Sequence, residues 1–290
     1  MSFWIVTDAA CDLPRTYAEQ TEKFTVMPMT YCMDGQDHPC ELGDESTWHP
    51  FYEALRAGKV ATTSQVSVQE YQKVFTDLVL AGESVLAVVF SSGLSGTYQA
   101  AVLARDSVVE RHPGAVIRVV DSLCASAGEG LFVHYAVKKR AEGLSLDETA
   151  RWLEENRHRF VHWFTVDDLD TLRRGGRVSA TAAYLGGMLK IKPILHVNEE
   201  GKLIPREKVQ GRKKSLKNLA EKVKTLAVPQ EGQTLFISHG DCLADAEYTL
   251  SCIRELGFEP AEVQISTIGA IIGAHSGPGT VALFFLGEHR

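Results

Sequence analysis

Val85-Leu86-Ala87-Val88-Val89-Phe90-Ser91-Ser92-Gly93-Leu94-Ser95-Gly96-Thr97 is the stretch that decides the fold. Its first half is an unbroken apolar run rich in β-branched residues. That composition suits a strand covered on both faces, as in a parallel sheet. Its second half is hydroxyl-rich, punctuated by glycine, and leads into a helical pattern from about Gly96 to Glu110. Tyr98, Ala101, Val102 and Ala104 fall near one side of that helix. A strand, a glycine turn and a helix make a βα unit, and the turn lies where ligands bind in such sheets.

The turn itself is chemically informative. A helix start offers unpaired backbone N–H groups, and glycine lets a ligand approach the backbone closely. Ser92 and Ser95 add hydroxyl donors. No lysine follows the second glycine, so this is not a nucleotide P-loop. Gly96 follows Ser95 directly, which also excludes the G-x-S-x-G nucleophile elbow. A helix start capped by serine is the plainer reading and stays open.

Outward from this unit the βα rhythm continues. Phe3–Val6, Val26–Tyr31 and Val116–Val120 read as further strands, with Pro28 marking the second as an edge. Ser67-Val68-Gln69-Glu70 and Ser145-Leu146-Asp147-Glu148 read as capping boxes opening helices to about Leu80 and His158. The pattern restarts near residue 160. Val161–Val166, Pro193–Val197, Thr234–Ser238, Val263–Ile268 and Val281–Leu286 read as strands, and Lys213–Leu226 and Ala244–Leu256 as helices. Asn198-Glu199-Glu200-Gly201-Lys202 reads as a hairpin turn that needs positive φ at Gly201. The expected fold is α/β in two domains. Residues 1–160 form a mainly parallel sheet with flanking helices, and 161–290 a second α/β domain with a mixed sheet.

Composition sets outer limits. The chain has 290 residues, 44% hydrophobic and 23% charged, with net charge −7. An acidic balance gives no general drive toward nucleic acid. No apolar run nears the roughly 18 residues of a membrane helix, and no secretion signal is expected from the opening residues. Cys11, Cys32, Cys40, Cys124, Cys242 and Cys252 are scattered without C-x-x-C spacing. They read as buried, reduced thiols of a cytoplasmic protein, with no metal site.

Two more polar loops join the first: Thr63-Ser64-Gln65, and His275-Ser276-Gly277-Pro278-Gly279. His275, set among small residues, suits a donor to a carboxylate or a general base. Asp8, Asp121 and Ser122 follow strands and serve either a ligand or the loop amides. Ser179–Leu189 mixes small residues with Leu185, Met188 and Leu189, as an adaptable apolar channel or an ordinary packed helix would.

Taken in order, these motifs resemble the DegV family, which includes the fatty-acid-binding subunits of bacterial fatty acid kinase. The resemblance runs through Val6-Thr7-Asp8, Thr63-Ser64-Gln65, Ser91–Tyr98, Val120-Asp121-Ser122, Gly175-Gly176-Arg177-Val178-Ser179, Leu189–Leu195 and His275 with Gly277-Pro278-Gly279. Ala9 and Ala10 stand where the family commonly has hydroxyl residues, and Val66 where it often has proline. The resemblance implies a lipid-binding protein with no catalytic residues, no metal and no cofactor. Its ligand would be a long-chain fatty acid such as palmitate, stearate or oleate. Thr63, Ser92, Ser95 and His275 would hold the carboxylate, supported by Ser64, Gly93, Gly96, Asp121, Ser122 and Arg173. Ala183, Leu185, Met188 and Leu189 would line the acyl channel. A separate ATP-dependent kinase would then make the acyl phosphate for phospholipid synthesis.

Two other functions compete. A serine-type hydrolase or acyl transferase would use Ser92 or Ser95 with His275 and Asp121. A regulatory module would bind no ligand. Basic residues gather after residue 170, among them Arg173, Arg174, Arg177, Lys190, Lys192, Arg206, Lys208 and Arg212–Lys214. They read as a solvated face, or as a docking surface for the kinase or for transient contact with an anionic membrane.

Overall fold

A computed structural model describes residues 2–167, 169–179, 191–228 and 233–290. From the amino end run β1 (Trp4–Asp8), α1 (Arg15–Gln20), β2 (Phe24–Met27), β3 (Met29–Met33), β4 (Gln36–Cys40), α2 (Glu45–Arg56), β5 (Ala61–Ser64), α3 (Val68–Leu80), β6 (Val85–Val89), α4 (Thr97–Arg111), β7 (Ile117–Asp121), α5 (Ala127–Ala141) and α6 (Leu146–Asn156). Then follow β8 (Phe160–Thr165), α7 (Asp170–Arg174), β9 (Ile191–Val197), β10 (Leu203–Gln210), α8 (Arg212–Leu226), β11 (Thr234–His239), α9 (Leu243–Glu255), β12 (Glu262–Thr267), α10 (Ala270–Ser276) and β13 (Val281–Leu286).

The fold is α/β, as the sequence indicates. A parallel sheet in the order β2-β1-β6-β7 carries the deciding strand at its centre. Every residue of β6 is buried, which explains its continuous apolar run. A six-stranded sheet, β10-β9-β8-β13-β11-β12, is antiparallel except for the β11–β12 pair. Helix α5 packs between the two sheets, touching β1 and β6 on one side and β8, β11 and β13 on the other. One apolar cluster accordingly runs from Phe3, Ile5 and Leu86 through Leu131 and Phe132 to Phe160, Phe236 and Phe284.

The stretch Val26–Tyr31 differs from expectation. It is two strands in two sheets, divided at Pro28. Proline has no N–H for a ladder, so the chain leaves the parallel sheet there. β3 then joins a three-stranded antiparallel sheet, β4-β3-β5. Asp34 and Gly35, both at positive φ, turn β3 into β4. Both expected capping boxes form, and Asp44 with Thr47 makes a third. Gly201 has the anticipated positive φ of 70°. The cysteines are free, but Cys32 and Cys242 are half-buried rather than buried.

Candidate lipid-binding site

The three polar loops of the sequence converge on one cavity of about 570 Å³. Two are not loops as read. Thr63 and Ser64 end strand β5, and His275 sits in the last turn of the short helix α10. Thr63 Oγ1 and His275 Nε2 are 2.8 Å apart, joining residues from opposite ends of the chain. Ser95 lines the same cavity, together with Ser64, Gln65 and Gly96. Most of the remaining lining is apolar, including Met29, Phe90, Phe164, Ile271 and Phe284.

The tautomer of His275 follows from its surroundings. Nδ1 is buried with no partner among the described residues. A proton there would leave a buried N–H unpaired, which costs about 1–3 kcal/mol. The proton therefore belongs on Nε2, donating to Thr63 Oγ1 and leaving the Thr63 hydrogen free to donate into the cavity. Burial, and secondarily the Arg177 guanidinium, hold the His275 pKa down to about 4, so the ring is neutral near pH 7. Gly175 makes room for this ring: a Cβ there would stand 2.2 Å from His275 Nδ1.

Buried carboxylates fix the Ser91–Thr97 loop. Asp8 accepts from Phe90 N (3.0 Å) and Ala10 N (3.0 Å), and burial raises its pKa to about 6. Asp121 accepts from Ser92 N (3.1 Å) and Leu123 N (3.0 Å), tying this loop to the next one. The 198–202 hairpin lies over the loop. Ser91 Oγ donates to Gly201 O (2.9 Å), and a Cβ on Gly93 would stand 2.4 Å from Glu200 O. Ser95 Oγ is 2.9 Å from Thr97 Oγ1 and accepts from Thr97 N.

Several candidate residues lie elsewhere. Ser92 is exposed and contributes only its amide to Asp121. Ser122 accepts from Cys124 N inside its own turn. Arg173 is exposed, 3.4 Å from Asp170 and away from the cavity. Gly93 lines a neighbouring cavity. Ala183, Leu185, Met188 and Leu189 lie outside the described residues. Sequence reasoning misses Arg177 as a cavity residue; it lines the cavity half-buried, and its Gly-Gly-Arg setting is the signal that points to it. Sequence reasoning also misses Ser126, which starts α5 at a positive φ of 56° and bonds to Asp12 and Ser238.

The arrangement does not assemble a hydrolase relay among the described residues. His275 Nε2 faces Thr63 rather than a serine, and Asp121 is taken by backbone amides. His49, Glu53 and Asp241 bring three metal-type ligand atoms within 4.8 Å, outside the cavity. The Arg56 guanidinium already occupies the Asp241 carboxylate there. The basic residues after 170 are partly neutralised: Lys192 pairs with Asp167 (2.6 Å) and Arg212 with Asp245 (2.8 Å).

An α/β fold with a mostly apolar cavity, lined also by hydroxyls, a neutral imidazole and the half-buried Arg177, suits an amphiphile with a small polar head. Comparison with known proteins agrees. The family model described as "Uncharacterised protein, DegV family" matches residues 2–288, and the chain belongs to the DegV family. A DegV domain-containing protein of Clostridium perfringens is 42% identical over 288 residues, covering 99% of this chain and 98% of that one. A structure described as a DegV lipid binding protein of Thermotoga maritima superposes with TM-score 0.86 at 32% identity over 100% of both chains. A DegV family protein of Thermus thermophilus, described by its fatty acid binding, gives TM-score 0.86 at 28% identity, covering 99% of this chain and 100% of that one.

Proposed function

We propose that this protein holds one long-chain fatty acid and presents its carboxylate to a separate ATP-dependent kinase. The protein itself is non-catalytic. The kinase moves the γ-phosphoryl group of ATP onto a carboxylate oxygen, ADP leaves, and the acyl phosphate enters phospholipid synthesis. One observation carries the reading: the Thr63–His275 pair lining a mostly apolar cavity that Ser95 also lines. Residues 1–160 bring Thr63 and Ser95. Residues 161–290 bring His275 and most of the wall along which the chain lies.

The energetics support a lipid. Burying about 14 methylenes at roughly 0.8 kcal/mol each gives about 11 kcal/mol before ordering costs. Hydroxyl donors suffice for the carboxylate, since the Thr63 hydroxyl, held by His275, bonds more strongly to an ionised acceptor than to a neutral one. The site of action is the cytoplasm, with transient contact at the membrane surface for lipid exchange.

Native mass spectrometry of delipidated protein titrated with palmitate, stearate or oleate tests the first half. One bound fatty acid per chain is the expected result, and no uptake would end the proposal. The second half is tested by ADP release from a fatty acid kinase that depends on the loaded protein.

A further inference from the structure

The cavity carries a polar group far from its head-group end. Thr280 and then Ala282 and Phe284 of β13 line it, at every second position of an extended chain. Thr280 marks the head-group end, because its Oγ1 donates to Ser276 O (3.0 Å), next to His275. In the antiparallel register of β13 and β8, Ala282 pairs with Phe164 and Phe284 pairs with His162. At about 3.4 Å per residue, His162 therefore lies about 13 Å along the strand from Thr280.

His162 is buried, and its ring stands edge-on to Phe284 with centroids 5.2 Å apart. Its tautomer is fixed. Nδ1 lies 2.8 Å from Phe160 O, and a carbonyl only accepts, so the ring proton is on Nδ1. Nε2 is left as a bare acceptor, buried and without a partner among the described residues. Burial, and secondarily the Arg290 guanidinium, hold the ring's pKa well below the usual 6.5, so no second proton occupies Nε2. The Nε2 edge is turned to the start of α5. A Cβ on Gly128 would stand 2.1 Å from it, and the neighbouring Ala125 and Ser126 line the same cavity as the ring. Ser126 has its hydroxyl committed to Asp12 (2.5 Å) and Ser238 (2.9 Å), whereas His162 Nε2 has no such commitment.

A buried acceptor without a donor is destabilising, and a phenylalanine or leucine would fill this place without leaving one. A plain hydrocarbon tail does nothing for the nitrogen, but a tail that bears a hydroxyl can donate to it. We infer that the cavity takes hydroxylated long-chain fatty acids, with His162 Nε2 accepting from a hydroxyl near the middle of the chain. This rests on the reading of the cavity as a fatty acid holder. With bonds near 1.5 Å an extended chain advances about 1.3 Å per carbon, so a span of about 13 Å corresponds to about ten carbons. The favoured hydroxyl is then near carbon 10. Near carbon 6 the chain passes the Ala282–Phe164 pair, whose side chains offer no acceptor.

Displacement of a fluorescent fatty acid by octadecanoate, 10-hydroxyoctadecanoate and 6-hydroxyoctadecanoate tests this, on delipidated wild-type and His162→Phe protein. A hydroxyl buried without a partner weakens a ligand roughly 10- to 100-fold. On the wild type the 10-hydroxy acid should bind within about threefold of octadecanoate, and the 6-hydroxy acid about tenfold or more weaker. His162→Phe should weaken the 10-hydroxy acid about tenfold relative to octadecanoate on the same variant, a ratio in which packing changes common to both lipids cancel. The inference falls if the two hydroxy acids bind the wild type equally well, a comparison that needs no variant to fold. It also falls if His162→Phe leaves the ratio of 10-hydroxy acid to octadecanoate unchanged. Failure of octadecanoate itself to bind would overturn the fatty acid reading along with it.

Discussion

Gly175→Ala probes the head-group seat without altering either of its hydrogen-bonding residues. Gly175 has φ −72° and ψ −8°, a helical conformation that alanine adopts freely. On the backbone alone the change should stabilise the fold by about 0.4–1 kcal/mol. The new Cβ, however, would stand 2.2 Å from His275 Nδ1, 3.1 Å from Cε1 and 3.3 Å from Cγ. Ordinary contact begins near 3.4 Å, so ring and methyl must separate by about 1 Å. The ring now stands 2.8 Å from Thr63 Oγ1. A displacement of that size breaks the bond or misdirects it, because hydrogen bonds weaken steeply with distance and angle. A hydrogen bond to an ionised ligand contributes about 1.5–3 kcal/mol. At about 1.4 kcal/mol per factor of ten, fatty acid affinity should fall roughly 10- to 100-fold. Fluorescent fatty acid displacement, run beside thermal unfolding of the ligand-free protein, separates the two effects. Lost affinity in a protein that still folds, with Tm lowered by only a few degrees, is the expected pair, because the backbone gain offsets part of the broken bond. Undiminished affinity would refute the role given to His275, since the ring could not have kept its place.

Thr63→Val should lower fatty acid affinity about tenfold or more in the same displacement assay, and Thr63→Ser should restore it, because only the hydroxyl links His275 to the ligand. Asp12 is fully buried, and desolvation raises its pKa from the ordinary 3.8 to about 8. A carboxyl shifted upward stabilises the fold while protonated, so this contribution is complete below about pH 4 and lost as pH rises through about 8. At about 1.4 kcal/mol per pH unit the loss is on the order of 5 kcal/mol, and Asp12→Asn should flatten stability between pH 5 and 8 in urea titrations. Arg290 donates to Leu123 O (2.8 Å), Phe160 O (3.0 Å), Arg157 O (3.0 Å) and Asn198 O (3.1 Å). Arg290→Ala should destabilise the fold by about 3 kcal/mol or more and speed hydrogen exchange in the 198–202 hairpin.

The parts of the fold that the sequence declares are those whose pattern has a local cause. β6 is apolar because both its faces are covered, and α3 and α6 open on capping boxes that form as written. What it conceals depends on distant partners. Helix α5 escapes notice because Gly128 and Gly130 interrupt its pattern. A Cβ at Gly128 would stand 2.1 Å from His162 Nε2, and one at Gly130 would stand 2.6 Å from Cys11 O. The glycines serve close packing between two sheets, which no local reading reveals. The site was legible in the same partial way. Thr63, Ser95 and His275 announce polar chemistry, but their meeting across the chain is a tertiary fact. Ser92 and Ser95 look alike in sequence, and only the Asp121 bond to the Ser92 amide and the direction of the loop separate them. Arg173 and Arg177 are likewise four residues apart in one basic run, yet one faces solvent and the other the cavity.

On the proposed reading, the lack of charge on Thr63, Ser95 and His275 bears directly on what a bound fatty acid could do next. A lysine or arginine in direct contact with both carboxylate oxygens would bind the acid more tightly. It would also withdraw electron density from the oxygen that must attack phosphorus. On the proposed reading the Thr63 and Ser95 hydroxyls would hold the carboxylate with less withdrawal and leave its second oxygen accessible. The tail would supply the affinity that the head forgoes, since about 14 buried methylenes outweigh one charge-assisted contact several-fold. Burial keeps His275 neutral, its pKa at about 4 in the ligand-free protein. If that ring were instead cationic at neutral pH, the carboxylate would sit in a closed ion pair, well retained and poorly nucleophilic. Binding and presentation would thus be separated in space: a fatty acid's chain would be gripped by apolar contacts along its length, while its reactive end would rest on the uncharged Thr63 and Ser95 hydroxyls, in a cavity that the Arg177 guanidinium also lines.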